Sequence, residues 1–318
     1  MENRKLGAFI VPTGIGASIG GYAGDASFWA RQFAEKCRLI VNPNVVNAGC
    51  FSGITDSMLY VEGYTLDEFF KGNLDLMPVT SRNKIGVVLD KAISQGILNV
   101  HLNTINAVKI IYGLDITDYD ITDEEAGVTF NINENGISAG CVKNINTILI
   151  SAKRLIKKGA QAIAIVCKFD EDDFDDYENG IGADPVGGVE AIISHYISKE
   201  LKVPCAHSPA FEDITIKQSI VDSRCSAEYI TPTYLPCILL GLSQAPLISH
   251  DKGLNIKDLD FLIMPHNSLG SIPVMECVKR GIDVFAVKEN KTVLNVDKSL
   301  YKSGITEVES YKNLLSLI

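Results

Sequence analysis

Short apolar runs recur along the chain, and the stretches between them carry apolar residues every three or four positions. The runs at residues 8–11, 38–41, 85–90, 161–167 and 261–264 read as strands, and most of them lack the alternation expected of a half-exposed sheet. Residues 58–64, 203–209 and 281–287 read as further strands. Helical periodicity marks residues 95–112 and 144–158, and Ile272 to Arg280. A stretch opening at Asp184 has Pro185 at its first position and Val189, Ile192, Ile193, Tyr196 and Ile197 along one face. Shorter helices are expected after Asp25, with Phe28, Trp29, Phe33 and Cys37 on the buried face, at residues 65–70, and at 307–317. Residues 127–142 break the rhythm: two alternating segments flank Asn133-Glu134-Asn135-Gly136, and Asn-Gly is a strong hairpin signal.

Strands that alternate with helices call for an α/β fold with a mainly parallel, doubly wound sheet. The hairpin near Asn135 is read as an antiparallel appendage. It also suggests a seam, with an N-terminal lobe over residues 1–125, a C-terminal lobe over 126–318 and a cleft between them. A single domain is the alternative.

The organising stretch is the first strand together with its glycine-rich loop. After Pro12 comes a loop with glycine at 14, 16, 20, 21 and 24, and then Asp25 at the expected start of a helix. Strand, glycine loop and helix together present backbone N–H groups to an anion. The loop is not a dinucleotide fingerprint. Gly14 and Gly16 have no third glycine at the required place, and the next strand ends in Asn42-Pro43-Asn44 rather than in a carboxylate. It is not a Walker loop, since no Gly-Lys-Ser/Thr comes after it.

Composition narrows the class. Of 318 residues, 46% are apolar and 21% charged, as in a globular protein with a sizeable core. The formal charge of −10 argues against nucleic acid or an anionic membrane as a partner. No apolar run approaches the length needed to span a bilayer, and the location expected is the cytoplasm. The eight cysteines form no Cys-x-x-Cys pair and no zinc spacing, so free thiols are expected, and neither a metal nor a cofactor. The acidic run from residue 169 to 182 does not match a calcium loop. A solvated surface loop is its main reading and a magnesium-binding lid the minor one.

Several segments point to a single family. They are PTGIGASIGGYAGDA, NPNVVN, LYVEGY, DPVGGVEAIISH, VPCAHSPA, LPCILLGLSQAP and AVKEN, spread over residues 8–297. Together they resemble the uncharacterised bacterial and plastid-type domain-of-unknown-function family 3326. The resemblance implies one site-bearing unit and supplies no substrate.

Candidate chemistry is sought where strands end, because open α/β sheets bind ligands beyond the carboxyl ends of their strands. Those ends, with the glycine loop, give the ligand-binding candidates Thr13, Gly14, Gly16, Ser18, Gly20, Gly21, Asp25, Asn42, Asn44, His266, Asn267, Glu289 and Asn290. The catalytic candidates are Cys205, His207, Glu62 and Asp90. Cys205 and His207 share one side of an extended segment, where an imidazole can activate a thiol. A buried structural cysteine with a hydrogen-bonded histidine is the alternative. His195 is expected at a surface or interface, and Cys50 facing Cys205 across a pocket is a remoter arrangement. The function expected is a cofactor-independent enzyme acting on a small anionic metabolite by proton transfer or thiol attack, as an isomerase, racemase, lyase or amide hydrolase. A non-catalytic ligand-binding or sensor protein and an oligomeric structural protein are the alternatives. A homo-oligomer is compatible with all three.

Overall fold

The computed structural model describes residues 4–169 and 177–318. The magnesium-lid reading rests largely on residues 170–176, outside that set. Ten strands form two parallel sheets. In chain order they are β1 (Leu6–Phe9), β2 (Arg38–Val41), β3 (Met58–Tyr60), β4 (Ile85–Leu89), β5 (Ile116–Ile121), β6 (Ala162–Lys168), β7 (Cys205–Ala210), β8 (Phe261–Pro265), β9 (Asp283–Val287) and β10 (Ile305–Val308). The larger sheet has the order β10-β9-β8-β1-β2-β3, and the smaller the order β7-β6-β4-β5. All of these pairings are parallel.

The apolar runs are continuous because both sheet faces are covered. In the larger sheet Phe9, Leu39 and Ile263 face one cluster, and their neighbours Ala8, Ile40 and Leu262 face another. The first face is covered by α1 (Ser27–Lys36), whose Phe33 meets Phe9 edge-on at 6.0 Å between ring centres. The second is covered by α2 (Gly63–Lys71) through Leu66, Phe69 and Phe70. Each buried aromatic of this kind contributes about 1.5–3 kcal/mol.

The smaller sheet is covered on its opposite face from α3 (Gln95–Tyr112) by α4 (Ile145–Lys157) and α5 (Gly187–Leu201). Helix α6 (Leu235–Gln244) packs on β3, β6 and β7, so one apolar cluster runs through both sheets. Helix α7 (Ile272–Arg280) and the short α8 (Tyr311–Leu315) complete the larger layer.

The hairpin forms as expected, with strands Val128–Ile132 and Ser138–Val142 antiparallel. The division at residues 125 and 126 does not follow the sheets. The larger sheet takes strands from both ends of the chain, and the smaller lies wholly between them. Chain neighbourhood is a poor guide here, because parallel pairing joins segments far apart in sequence. Two local expectations also change. Residues 305–308 pair with β9 as an edge strand rather than starting the last helix. The helix after Asp184 begins at Gly187, since the Asp184 carboxylate accepts from Val186 N at 3.1 Å and forms a turn ahead of it.

Candidate functional site

A cavity of about 1090 Å³ opens at the carboxyl ends of β1, β2, β3 and β7. Thr13, Asn42, Glu62 and His207 bring those four strand ends to its wall. The start of α5 closes one side with Asp184, Pro185 and Glu190. The segment before α6 adds Glu228, Tyr229 and Tyr234.

The core of the site is an imidazole–carboxylate pair. His207 Nε2 lies 3.4 Å from Glu190 Oε2. Glu190 is 7% exposed, and among the described residues its Oε1 has no hydrogen-bond partner; nor does His207 Nδ1. Asp184 and Glu228 stand close enough to these groups for their charges to interact. Burial raises Asp184 to about 7, with the Glu190 charge as the second cause. Burial also raises Glu228 well above the carboxylate range, with Asp184 next. Tyr177 donates to Glu228 Oε1 at 3.2 Å and stacks on Tyr22 at 5.0 Å.

His195 also lines the cavity. Its ring abuts the first residue of α2, where a β-carbon on Gly63 would fall 1.9 Å from Nε2. Only glycine lets helix and ring approach so closely. Burial, then the His207 charge, push the His195 imidazole down to about 4, which keeps it neutral near pH 7.

The glycine loop is organised from within. Gly20 N and Tyr22 N donate to Asp25 Oδ1 at 2.6 and 3.3 Å, so the chain's own carboxylate occupies N–H groups that an external anion would need. Asp25 therefore does not cap α1, which has Ala26 at its cap without a side-chain bond. Burial raises the Asp25 carboxyl to about 6. Gly14 has φ of +72°, and its carbonyl accepts from Ser138 N at 2.9 Å. It faces the hairpin, and Gly16 faces Val293 and Gly182. Of the loop candidates, Thr13 and Gly21 reach the cavity wall.

The asparagines at the strand ends lash loops together. Asn42 receives Val11 N at 3.1 Å and donates to Val11 O at 2.8 Å. Asn44 donates to Val11 O at 3.2 Å and to Gly20 O. Both also line the cavity. Asn290 donates to Ile19 O and Tyr311 Oη and accepts from Ile19 N. Asn267 donates to Thr292 O and Leu294 O. Ser18 donates to Glu289 O at 3.2 Å, Glu289 accepts from Tyr311 N at 2.6 Å, and His266 Nδ1 meets Asn290 O at 3.3 Å. These last five residues are not on the cavity wall.

Of the four catalytic candidates, His207 and Glu62 reach the cavity wall, and Cys205 and Asp90 do not. Cys205 shares a strand face with His207 but lies two residues deeper, fully buried in the cluster beneath α4 and α5. Burial pushes its thiol well above the ordinary value, and it is not on the cavity wall. Glu62 reaches the wall but caps α2, accepting from Tyr64 N, Thr65 N and Thr65 Oγ1. Asp90 ends β4 and accepts from Ala92 N, Ala126 N and Lys168 N. Cys50 is half-buried and also off the wall.

Glu190, Asp184 and Glu228 are absent from the strand-end candidates. Glu190 did leave a signal: it falls within the buried stripe of α5, beside Val189 and Ile193, where a carboxylate needs a reason. Glu228 left none, because it sits in a one-turn helix, Ser226–Tyr229, too short to show a periodic pattern.

No group of three His, Cys, Asp or Glu side chains among the described residues is placed to hold a metal ion, and no described helix is long and apolar enough to cross a membrane. No solved structure matches the chain. An uncharacterized lipoprotein of Synechococcus sp. is 39% identical over 307 residues, covering 93% of this chain and 85% of its own length. That relative's description as a lipoprotein overturns the cytoplasmic location expected from the sequence. The family model for a protein of unknown function, DUF3326, matches residues 7–318, and the chain belongs to that family.

Proposed function

We propose that the cavity is the active site of a small-molecule enzyme in which His207, held by Glu190, moves a proton to or from the substrate. The observation that carries this reading is the pair itself. One nitrogen of His207 is held by Glu190 at 3.4 Å, and the other, Nδ1, is buried and has no partner among the described residues. A histidine whose Nε2–H donates to a carboxylate presents Nδ1 as a base. The neighbouring Asp184, raised to about 7, can supply the complementary acid. This supports isomerase, racemase or lyase chemistry by proton transfer. Thiol attack is the weaker reading, since Cys205 is sealed from the cavity.

The lining favours a neutral or positively charged substrate over the anionic metabolite expected from the sequence. Among the described residues, seven of those lining it are Asp or Glu and one is a lysine, Lys217, which is paired with Glu178. By analogy with the Synechococcus lipoprotein, the protein works at a membrane surface; detergent phase partitioning of the native protein tests this.

Mass spectrometry of metabolites retained by the native protein supplies substrate candidates. Turnover of such a candidate should fall about 100- to 10,000-fold in His207→Ala, with the circular dichroism spectrum unchanged. Stoichiometric binding without turnover would instead make the protein a sensor or carrier.

A further inference from the structure

We infer that the ligand of this cavity carries a positively charged amine, seated among Glu190, Asp184 and Glu228. The inference rests on the proposed function only in taking this cavity as the ligand site.

Carboxylates gathered in a partly dry site must find protons, a metal or a cation. Among the described residues Glu190 has His207 as its one charged partner, and one of its oxygens has no hydrogen bond although the residue is 7% exposed. An oxygen so placed is a buried acceptor left unsatisfied, and Glu190 lines a cavity with room for a ligand. The one lysine on that wall is already paired. Among the described residues no further cation is paired with Glu190, and one from outside the chain completes the site.

The surroundings favour an organic cation over a metal ion. No three described donors are arranged around a common point. The cavity, at about 1090 Å³, is far larger than a hydrated ion needs. Tyr177, Tyr229 and Tyr234 line it beside Glu228, and aromatic faces attract ammonium groups. An ammonium donates three hydrogen bonds, and Glu190 Oε1 accepts none from the described residues.

The test is binding, which needs no turnover. Isothermal calorimetry on the full chain compares 1,4-diaminobutane, spermidine and agmatine with 1,4-butanediol and succinate. At least one amine is expected to bind, at least about tenfold tighter than the diol and the dicarboxylate, and to weaken as salt rises. Glu228→Gln and Asp184→Asn, which keep side-chain size, should each weaken the amine about tenfold or more. Succinate binding as tightly as the amines overturns the inference. So does the failure of all three amines at about 10 mM, weaker than any specific site of this kind, or stabilisation by magnesium or calcium chloride alone. Amine binding combined with native turnover in His207→Ala would leave this inference standing and remove the proton-transfer reading. Turnover of a substrate with no amine would do the reverse.

Discussion

The carboxyl ends of the larger sheet are finished in two different ways. In the order β10-β9-β8-β1-β2-β3, the strand connections reverse direction between β1 and β8, and the crevice beyond such a reversal is where α/β sheets usually bind ligands. Here the chain fills it. Val293 N donates to Ile15 O and Ser18 N to Lys291 O, and Asn267 and Asn290 bond backbone groups from both sides. The cavity lies instead on the β1–β3 side, against α5 and β7 of the smaller sheet. There the polar groups are charged and some lack partners. A network whose members are all satisfied stiffens a fold, and one left incomplete is what a ligand can complete. On the proposed reading, the satisfied amides mark structure and the side chains left without partners mark the ligand site.

The contrast is tested most severely at His207. Its replacement by alanine is expected to cost about 3–5 kcal/mol of transition-state stabilisation, the energy of a 100- to 10,000-fold rate loss, and little stability. Steady-state kinetics beside a denaturation curve reads both. Near-native turnover would place His207 with the structural groups.

Asn290→Ala should behave in the opposite manner. It removes the hydrogen bonds of a fully buried side chain to Ile19 N, Ile19 O, Tyr311 Oη and Ser18 Oγ and leaves Ile19 N and O without their partner. A loss of about 2–4 kcal/mol in urea unfolding is expected. A change below about 0.5 kcal/mol would mean that the plug between β1 and β8 does not hold the loops.

The third effect depends on pH. Asp184 titrates near 3.8 when unfolded and at about 7 when folded, so the native state holds the extra proton between those values. Its contribution to stability is complete below about pH 4 and is lost as pH rises to 7. His195, pushed down to about 4, acts with the opposite sign over much of that window. Glu190, His207 and Glu228 face Asp184 in both proteins being compared. The stability of Asp184→Asn relative to the parent should therefore rise from pH 4 to 8, on the order of 2 kcal/mol in all, given the cavity's access to water. A flat difference would refute the burial of that carboxyl.

Cys205 should give the smallest effect. Iodoacetamide at pH 7.5 is expected to label it far more slowly in the folded than in the unfolded protein, as read by peptide mass spectrometry. Rapid labelling would return the thiol to the site.

Much of the fold could be read from residue pattern because its cause is local. Continuous apolar runs such as residues 161–167 report strands covered on both faces, and Asn135-Gly136 reports a turn. The strand ends likewise pointed to His207, Glu62, Asn42 and Thr13, all of which reach the cavity wall. What local pattern cannot carry is which strands become neighbours. The pairing of β1 with β8, some 250 residues apart, decides that the glycine loop is bound by the chain itself. Depth is also invisible along the chain: Cys205 and His207 have the same alternation, yet one is sealed and the other lines the cavity. The sequence by itself determined the layers, the hairpin and the family. Only the tertiary structure brought Glu190, Asp184 and Glu228 to His207, because an electrostatic cluster depends on distances through space that residue spacing does not encode.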